Sequence, residues 1–123
     1  MSKIMNFLKS LFSPEKDRRT LANQEGAYSR FTGKIAWGLN FARVENAWFK
    51  LVVVRKHKVI IWDKGSWIDG NWNMGYWHDG SWNMGYWCSG YWDKGTWRRG
   101  FDKMGLEHLE NPSRWNLKKP ALQ

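Results

Sequence analysis

Tryptophan occupies every fifth position from residue 62 to residue 97, and a glycine follows each of these tryptophans three residues later. Apolar positions recur about every 3.6 residues in a helix and every second residue in a strand, so a strict period of five excludes a long run of either. Glycine has no Cβ and readily adopts positive φ, which suits a bend in each unit. We predict a mainly β fold in which residues 62–105 form a small β-solenoid or hairpin stack.

Differences between the units leave two ways of stacking open. The units that begin at residues 72 and 82 are both WNMGY, and those that begin at 62 and 92 share WDKG. This alternation favours a ten-residue, two-sided stack, in which Tyr76 aligns with Tyr86. The alternative is a four-sided coil of twenty residues, which would complete barely two turns. In both arrangements we expect the indoles to form the interior, since each buries about 150–250 Å².

Written from its glycine, each unit is Gly-x-Trp-x-x, which resembles the small-x-large-x-x pattern of pentapeptide-repeat proteins. That resemblance implies a right-handed, four-sided β-helix. The units are also similar to the tandem W-x-x-G-x arrays of proteins from large bacteriophages, and more loosely to the Y-x-G-x-W-x-x-G core of MORN repeats. The chain departs from the pentapeptide pattern because Trp replaces the inward Leu or Phe. The resemblance implies an architecture and a phage-type protein, but no activity.

A basic β-sheet is predicted over residues 27–61, upstream of the repeats. The segments AWFKLVVV (47–54) and KVIIW (58–62) are rich in β-branched and aromatic residues, and RKH lies between them, which is typical of a hairpin. Residues 31–44 add one or two strands. We expect this sheet to cap the N-terminal end of the stack, since repeat stacks need closed ends.

An amphipathic helix is predicted for residues 1–13, followed by a polar linker over residues 14–26. The apolar side of this helix gives the candidate partner-binding residues, which are Ile4, Phe7, Leu8, Leu11 and Phe12. The segment is too short to be a stable helix alone in water, so it needs a surface. That surface is the protein's own domain, the groove of a partner protein or an anionic membrane, and all three remain open.

The net charge of +9 is concentrated in the first half of the chain, and the repeats are close to neutral. An acidic partner is therefore expected on the N-terminal half. The candidate nucleic-acid-binding residues are Arg55, Lys56 and Lys58 at the end of the predicted hairpin, with Lys50 as a neighbour. A solvated turn that only aids solubility is the alternative interpretation.

The titratable residues form no catalytic pattern, so we expect no enzyme, cofactor or metal. His78 and Cys88 provide two ligands where zinc normally takes four, and Cys88 has no evident base. A single cysteine cannot form an internal disulfide, and the first residues lack the features of a signal peptide. These features favour the host cytoplasm or a virion.

Together these patterns favour a non-enzymatic structural or protein-binding accessory protein. It would dock through its N-terminal helix on a larger protein assembly, such as a virion or a host complex. Binding of nucleic acid or ribonucleoprotein through residues 55–58 is the first alternative, and binding of a membrane surface or a glycan is the second. Residues 106–123 are predicted to form a tail with one helical turn, a break at Pro112 and an anchor at Trp115. The oligomeric state stays open.

Overall fold

A computed structural model describes residues 28–116, which form ten strands in a single sheet and one short helix. The strands are β1 (Ser29–Trp37), β2 (Asn40–Val54), β3 (His57–Trp72), β4 (Gly75–Trp77), β5 (Ser81–Trp82), β6 (Tyr86–Trp87), β7 (Tyr91–Trp92), β8 (Thr96–Trp97), β9 (Gly100–Asp102) and β10 (Glu107–His108), and the helix is α1 (Pro112–Trp115). The mainly β prediction is confirmed. The predicted helix over residues 1–13 and the linker over residues 14–26 lie outside the described residues.

The first three strands pair antiparallel and contain the predicted hairpin. β2 and β3 are joined at Arg55 and Lys56, so that Val54 pairs with His57. Both turn residues have positive φ, of 51° and 71°. β3 then continues to Trp72, so one strand contains both the end of the predicted cap and the first two tryptophan units.

Three parallel ladders start from β3, at three points along its length. Trp62 pairs with Trp77, Trp67 with Trp82, and Trp72 with Trp87. The next strands repeat the offset, since β7, β8 and β9 pair with β4, β5 and β6 respectively. The partners in every parallel pair are fifteen residues apart. The ten-residue and twenty-residue registers expected from the sequence are therefore both wrong.

The packing of the indoles explains a repeat of fifteen residues. Within a ladder the rings stack almost parallel, with centroids 4.9 Å apart for Trp62 and Trp77 and 5.0 Å apart for Trp72 and Trp87. Consecutive units meet edge to face, as in the pair Trp67 and Trp72, at 5.3 Å and 69°. Offset-stacked and edge-to-face pairs are the arrangements that aromatic rings prefer. Consecutive indoles thus meet edge to face, and each stacks on the indole fifteen residues further along the chain.

Residues from outside the repeats cover the first indole of one column and the last indole of another. Phe49 of β2 stacks on Trp62 at 5.6 Å and 11°. At the other end, the ring of Trp115 packs edge to face on Trp97 at 5.9 Å and parallel to His108 at 3.9 Å. Trp115 is thus an anchor, as predicted. Pro112 is the first residue of α1 and not a break, because a proline at the start of a helix lacks only an N–H that would have no helical partner.

The buried side chain of Asn40 fixes the start of the parallel region. Its Nδ2 donates to the carbonyl oxygen of Lys58 at 2.9 Å, and its Oδ1 accepts from the backbone N–H groups of Asn73 and Met74 at 2.8 and 3.2 Å. This amide is fully buried and satisfied by partners from two segments. It therefore ties the hairpin to the loop that follows β3.

Candidate binding surfaces

The tryptophan columns are interior packing and offer no ring face to a ligand. Nine tryptophans are buried, namely Trp37, Trp62, Trp67, Trp72, Trp77, Trp82, Trp87, Trp92 and Trp97. Several of their N–H groups donate to backbone carbonyls seventeen residues further on, such as Trp77 to Lys94 at 3.1 Å. The expectation that the indoles form the core is confirmed, so a binding surface must be sought among the outward residues.

The basic residues proposed for nucleic-acid binding lie around the β2–β3 turn, but on different sides of the hairpin. Arg55 and Lys56 are exposed at its tip. Lys58 pairs with Val53 and holds its Nζ 4.8 Å from the ring centroid of Trp37, on the side that faces the indole core.

Lys50 lies on the other side of the hairpin, where its Nζ is 5.2 Å from the ring centroid of Tyr28. Lys50 and Lys58 both make cation–π contacts, so each ammonium group already interacts with an aromatic ring of the protein. The structure therefore brings only Arg55 and Lys56 together at one exposed point.

The fifteen-residue register separates the residues that a ten-residue repeat would place together. His78 lies in the ladder of Asp93, and its Nδ1 is 3.0 Å from the Asp93 Oδ2. Cys88 lies in another ladder, and its Sγ donates to the Asn71 Oδ1 at 3.5 Å. Burial raises the pKa of the Cys88 thiol, which disfavours the reactive thiolate. In residues 28–116 no three His, Cys, Asp or Glu side chains are grouped to hold a metal ion.

The outward tyrosines also pair differently from the expectation. Tyr76 stacks on Tyr91 at 5.3 Å, while Tyr86 lies 5.2 Å from the ring of Phe101. Tyr76 is buried, and burial followed by the nearby Asp93 carboxylate raises its pKa. Tyr86 is 47% exposed. The predicted Tyr76/Tyr86 face is therefore wrong, and only Tyr86 belongs to an accessible aromatic surface.

That accessible surface is a row of residues on the outer face of four adjacent strands. Phe41 of β2 pairs with Asn71 of β3, Asn71 with Tyr86 of β6, and Tyr86 with Phe101 of β9. Phe41 is 54% exposed. Phe101 is partly exposed, and exposed aromatic groups that lie close together on one face are typical of interaction sites. We call these four residues the aromatic row.

A groove of about 510 Å³ opens over the aromatic row. Its lining consists of Phe41, Asp69, Gly70, Asn71, Met84, Gly85, Tyr86 and Phe101. Asn71 lies between Phe41 and Tyr86, and its Nδ2 donates to the carbonyl oxygen of Leu39 at 2.6 Å. The sequence did not predict this groove, because Phe41 lies outside the repeats. It joins the groove through the antiparallel pairing of β2 with β3, which the period of the repeats does not reveal. A fifteen-residue period would have aligned Asn71, Tyr86 and Phe101.

The partner-binding candidates Ile4, Phe7, Leu8, Leu11 and Phe12 lie outside the described residues. Within residues 28–116, none of the helices could span a lipid bilayer. Comparisons with protein-family models, with curated proteins and with solved structures give no match.

Proposed function

We propose that this chain is a non-enzymatic, protein-binding accessory protein whose repeats form a three-sided β-solenoid. The observation that carries this proposal is the stacking of fully buried indoles in register fifteen residues apart. Such a body is expected to be rigid, and a rigid binding surface loses little conformational freedom on association. The exposed aromatic row is the kind of outward surface that a protein partner contacts.

Docking on a larger assembly is assigned in this proposal to the N-terminal residues Ile4, Phe7, Leu8, Leu11 and Phe12. Their apolar side needs a surface before it can form a stable helix, and a partner's groove provides one. The similarity of the units to W-x-x-G-x arrays supports a phage-type protein that acts in the host cytoplasm or in a virion.

A pull-down from the native cell with matched variants tests this docking. Leu8→Asp combined with Leu11→Asp should abolish capture of specific partners, because both charges fall on the apolar side. Ser10→Asp combined with Ser13→Asp is the control, since it adds the same charge on the polar side. Capture that is equal for the two variants, or unchanged when residues 2–13 are deleted, would contradict docking through this segment.

A second candidate function is nucleic-acid binding at the hairpin tip, which the exposure of Arg55 and Lys56 favours. Arg55→Glu combined with Lys56→Glu should then abolish retention on an RNA column and on heparin, and retention of the unmodified protein should fall steeply with salt. Lys94→Glu combined with Lys103→Glu provides the control, because it makes the same charge change at exposed positions in the repeats. Equal losses from both variants would indicate general charge attraction and no site at the tip.

A further inference from the structure

The aromatic row has one position without a ring. Phe41, Tyr86 and Phe101 carry rings on their strands, whereas the strand between Phe41 and Tyr86 presents Asn71. The Asn71 side chain is tethered by its hydrogen bonds to the Leu39 carbonyl and the Cys88 thiol. The groove lies at this position, with all three aromatic residues of the row in its lining.

The spacing of the strands leaves room for one inserted ring. Neighbouring strands are about 4.8 Å apart, so Phe41 and Tyr86 stand about 9.6 Å apart across two strand spacings. Carbon atoms in contact are about 3.5–4.0 Å apart, so a ring between two others needs about 7–8 Å and two inserted rings need about 11 Å. One aromatic ring fits this gap and two do not.

The same spacing already holds aromatic rings elsewhere in the protein. Inside the repeats, Trp67 and Trp82 stack at 5.1 Å on neighbouring strands of one ladder. On the outer surface, Tyr86 and Phe101 lie 5.2 Å apart. A ring inserted above Asn71 would continue the outer row at the distance that the strands impose.

The charge of the groove indicates what kind of ring it accepts. Its lining contains one charged residue, Asp69, whose carboxylate is 3.1 Å from the Arg43 guanidinium. The lining therefore offers a hydrogen-bond acceptor and no cation. Arg43 donates to the Asp69 Oδ2, which leaves the Asp69 Oδ1 as the acceptor for an indole N–H or a phenol O–H. Met84 adds a soft apolar contact of the kind that suits aromatic rings.

We propose that the groove binds a single tryptophan or tyrosine side chain of a partner protein, inserted between Phe41 and Tyr86 above Asn71. This inference rests on the proposed protein-binding function and names the chemistry of one contact. Aromatic side chains that enter a pocket contribute much of the binding energy of many protein interfaces. Here the partner provides the ring that is missing from the row.

Titration of the full ¹⁵N-labelled chain with N-acetyltryptophanamide tests this proposal. We expect chemical-shift changes at the amides of Gly70 and Gly85 and at the Asn71 side-chain amide, with a Kd on the order of 1 mM. Adenosine monophosphate and a short glucose oligosaccharide, titrated in parallel, should change these signals much less. An unresponsive groove at 20 mM probe (about twenty times that Kd), or a stronger response to the nucleotide or the sugar, overturns the proposal.

Asn71→Tyr is the most informative variant, because it places a ring in the gap from within the chain. It should weaken probe binding about tenfold or more while the spectrum keeps its dispersion. Leu106→Ser is the control, since Leu106 is 64% exposed and lies outside the groove. If Asn71→Tyr does not fold, Tyr86→Ser removes one wall and should weaken binding similarly. Unchanged binding in the folded variant contradicts the proposal.

The outcomes also separate this inference from the proposed function. If the probe fails to bind in the groove while capture still depends on Leu8 and Leu11, only the groove assignment fails. If the unmodified protein captures no specific partner and the probe also fails to bind, the protein-binding function itself is contradicted.

Discussion

Glycine is required in the repeats mainly because successive turns of the backbone approach closely. A Cβ on Gly80 would lie 2.4 Å from the carbonyl oxygen of Gly65, and a Cβ on Gly85 would lie 2.3 Å from that of Gly70. Both residues also have φ near +130° or above. The sequence suggested bends, but the close approach of units fifteen residues apart is the stronger constraint, because no side-chain movement relieves a clash with backbone.

Two alanine substitutions separate close approach from backbone conformation. Gly75 lacks a positive φ, but an added Cβ would lie 2.2 Å from the Ile60 carbonyl oxygen, whereas Gly105 has φ +90° and nothing within 4 Å. We expect Gly75→Ala to lower the free energy of unfolding by about 2–4 kcal/mol. Gly105→Ala should cost about 1 kcal/mol. Urea denaturation measures both, and a larger loss for Gly105→Ala would be inconsistent with this explanation.

Asp102 stands where the next tryptophan of its ladder would be, opposite Trp87. Its Oδ2 is 2.9 Å from the His108 Nε2, and its Oδ1 accepts from the backbone N–H groups of Met104 and Leu106. The hydrogen bond to His108 is the main cause of a lowered pKa at Asp102, and the backbone bonds contribute further. A carboxylate thus follows Trp87 at the end of its column, and its hydrogen bonds hold the turn that leads from β9 to β10.

The lowered pKa of Asp102 predicts a loss of stability in acid. Its usual pKa is 3.8. Because the folded state favours the carboxylate, this contribution is fully present above that pH and is lost as the pH falls through the lowered pKa. Thermal unfolding of the protein and of Asp102→Asn, followed from pH 6 down to pH 2, measures it. The difference in Tm between the two should shrink as the pH falls, and a constant difference would argue against the assignment.

At the scale of the elements, the strands could be predicted better than their register. β-branched and aromatic residues located the β2–β3 hairpin, and the period of five located the units. The repeated WNMGY at residues 72 and 82 suggested a period of ten. The packing of three indoles per turn sets the register instead, and the outward residues that distinguish the units have little part in it. The buried Asn40 gave no signal, since an asparagine at the first position of a strand resembles any turn residue.

Trp77 tests how much one central indole stabilises the ladders. It stacks between Trp62 and Trp92, at 4.9 and 4.8 Å. We expect Trp77→Ala to lower the free energy of unfolding by about 3–5 kcal/mol, because it would leave a cavity lined by four neighbouring indoles. Trp115→Ala, at the partly exposed end of the stack, should cost about 1–2 kcal/mol. Chemical denaturation with near-UV circular dichroism compares them, and equal losses would show that the columns are not the main core.

For the molecule as a whole, the pairing of the strands fixes which outward residues meet. The net charge of +9 points to the N-terminal half of the chain, whereas most of the groove lining lies in the neutral repeats. It does not reveal that Lys50 and Lys58 lie on opposite sides of the hairpin, nor that Phe41 joins Tyr86 on one surface. The positions of the two lysines follow from the antiparallel pairing of β2 with β3. The meeting of Phe41 with Tyr86 also needs the fifteen-residue register, which pairs Asn71 with Tyr86.

Disulfide formation between introduced cysteines tests that register most directly. In a Cys88→Ser background, Ser81→Cys can be paired with Thr96→Cys, fifteen residues away and directly opposite on the neighbouring strand. Neighbouring strands are about 4.8 Å apart, which suits a disulfide. Tyr91→Cys and Phe101→Cys, each combined with Ser81→Cys, probe offsets of ten and twenty residues. Under mild oxidation the account predicts rapid bridging of 81 with 96 by mass spectrometry, and faster bridging of 81 with 91 or 101 would contradict it.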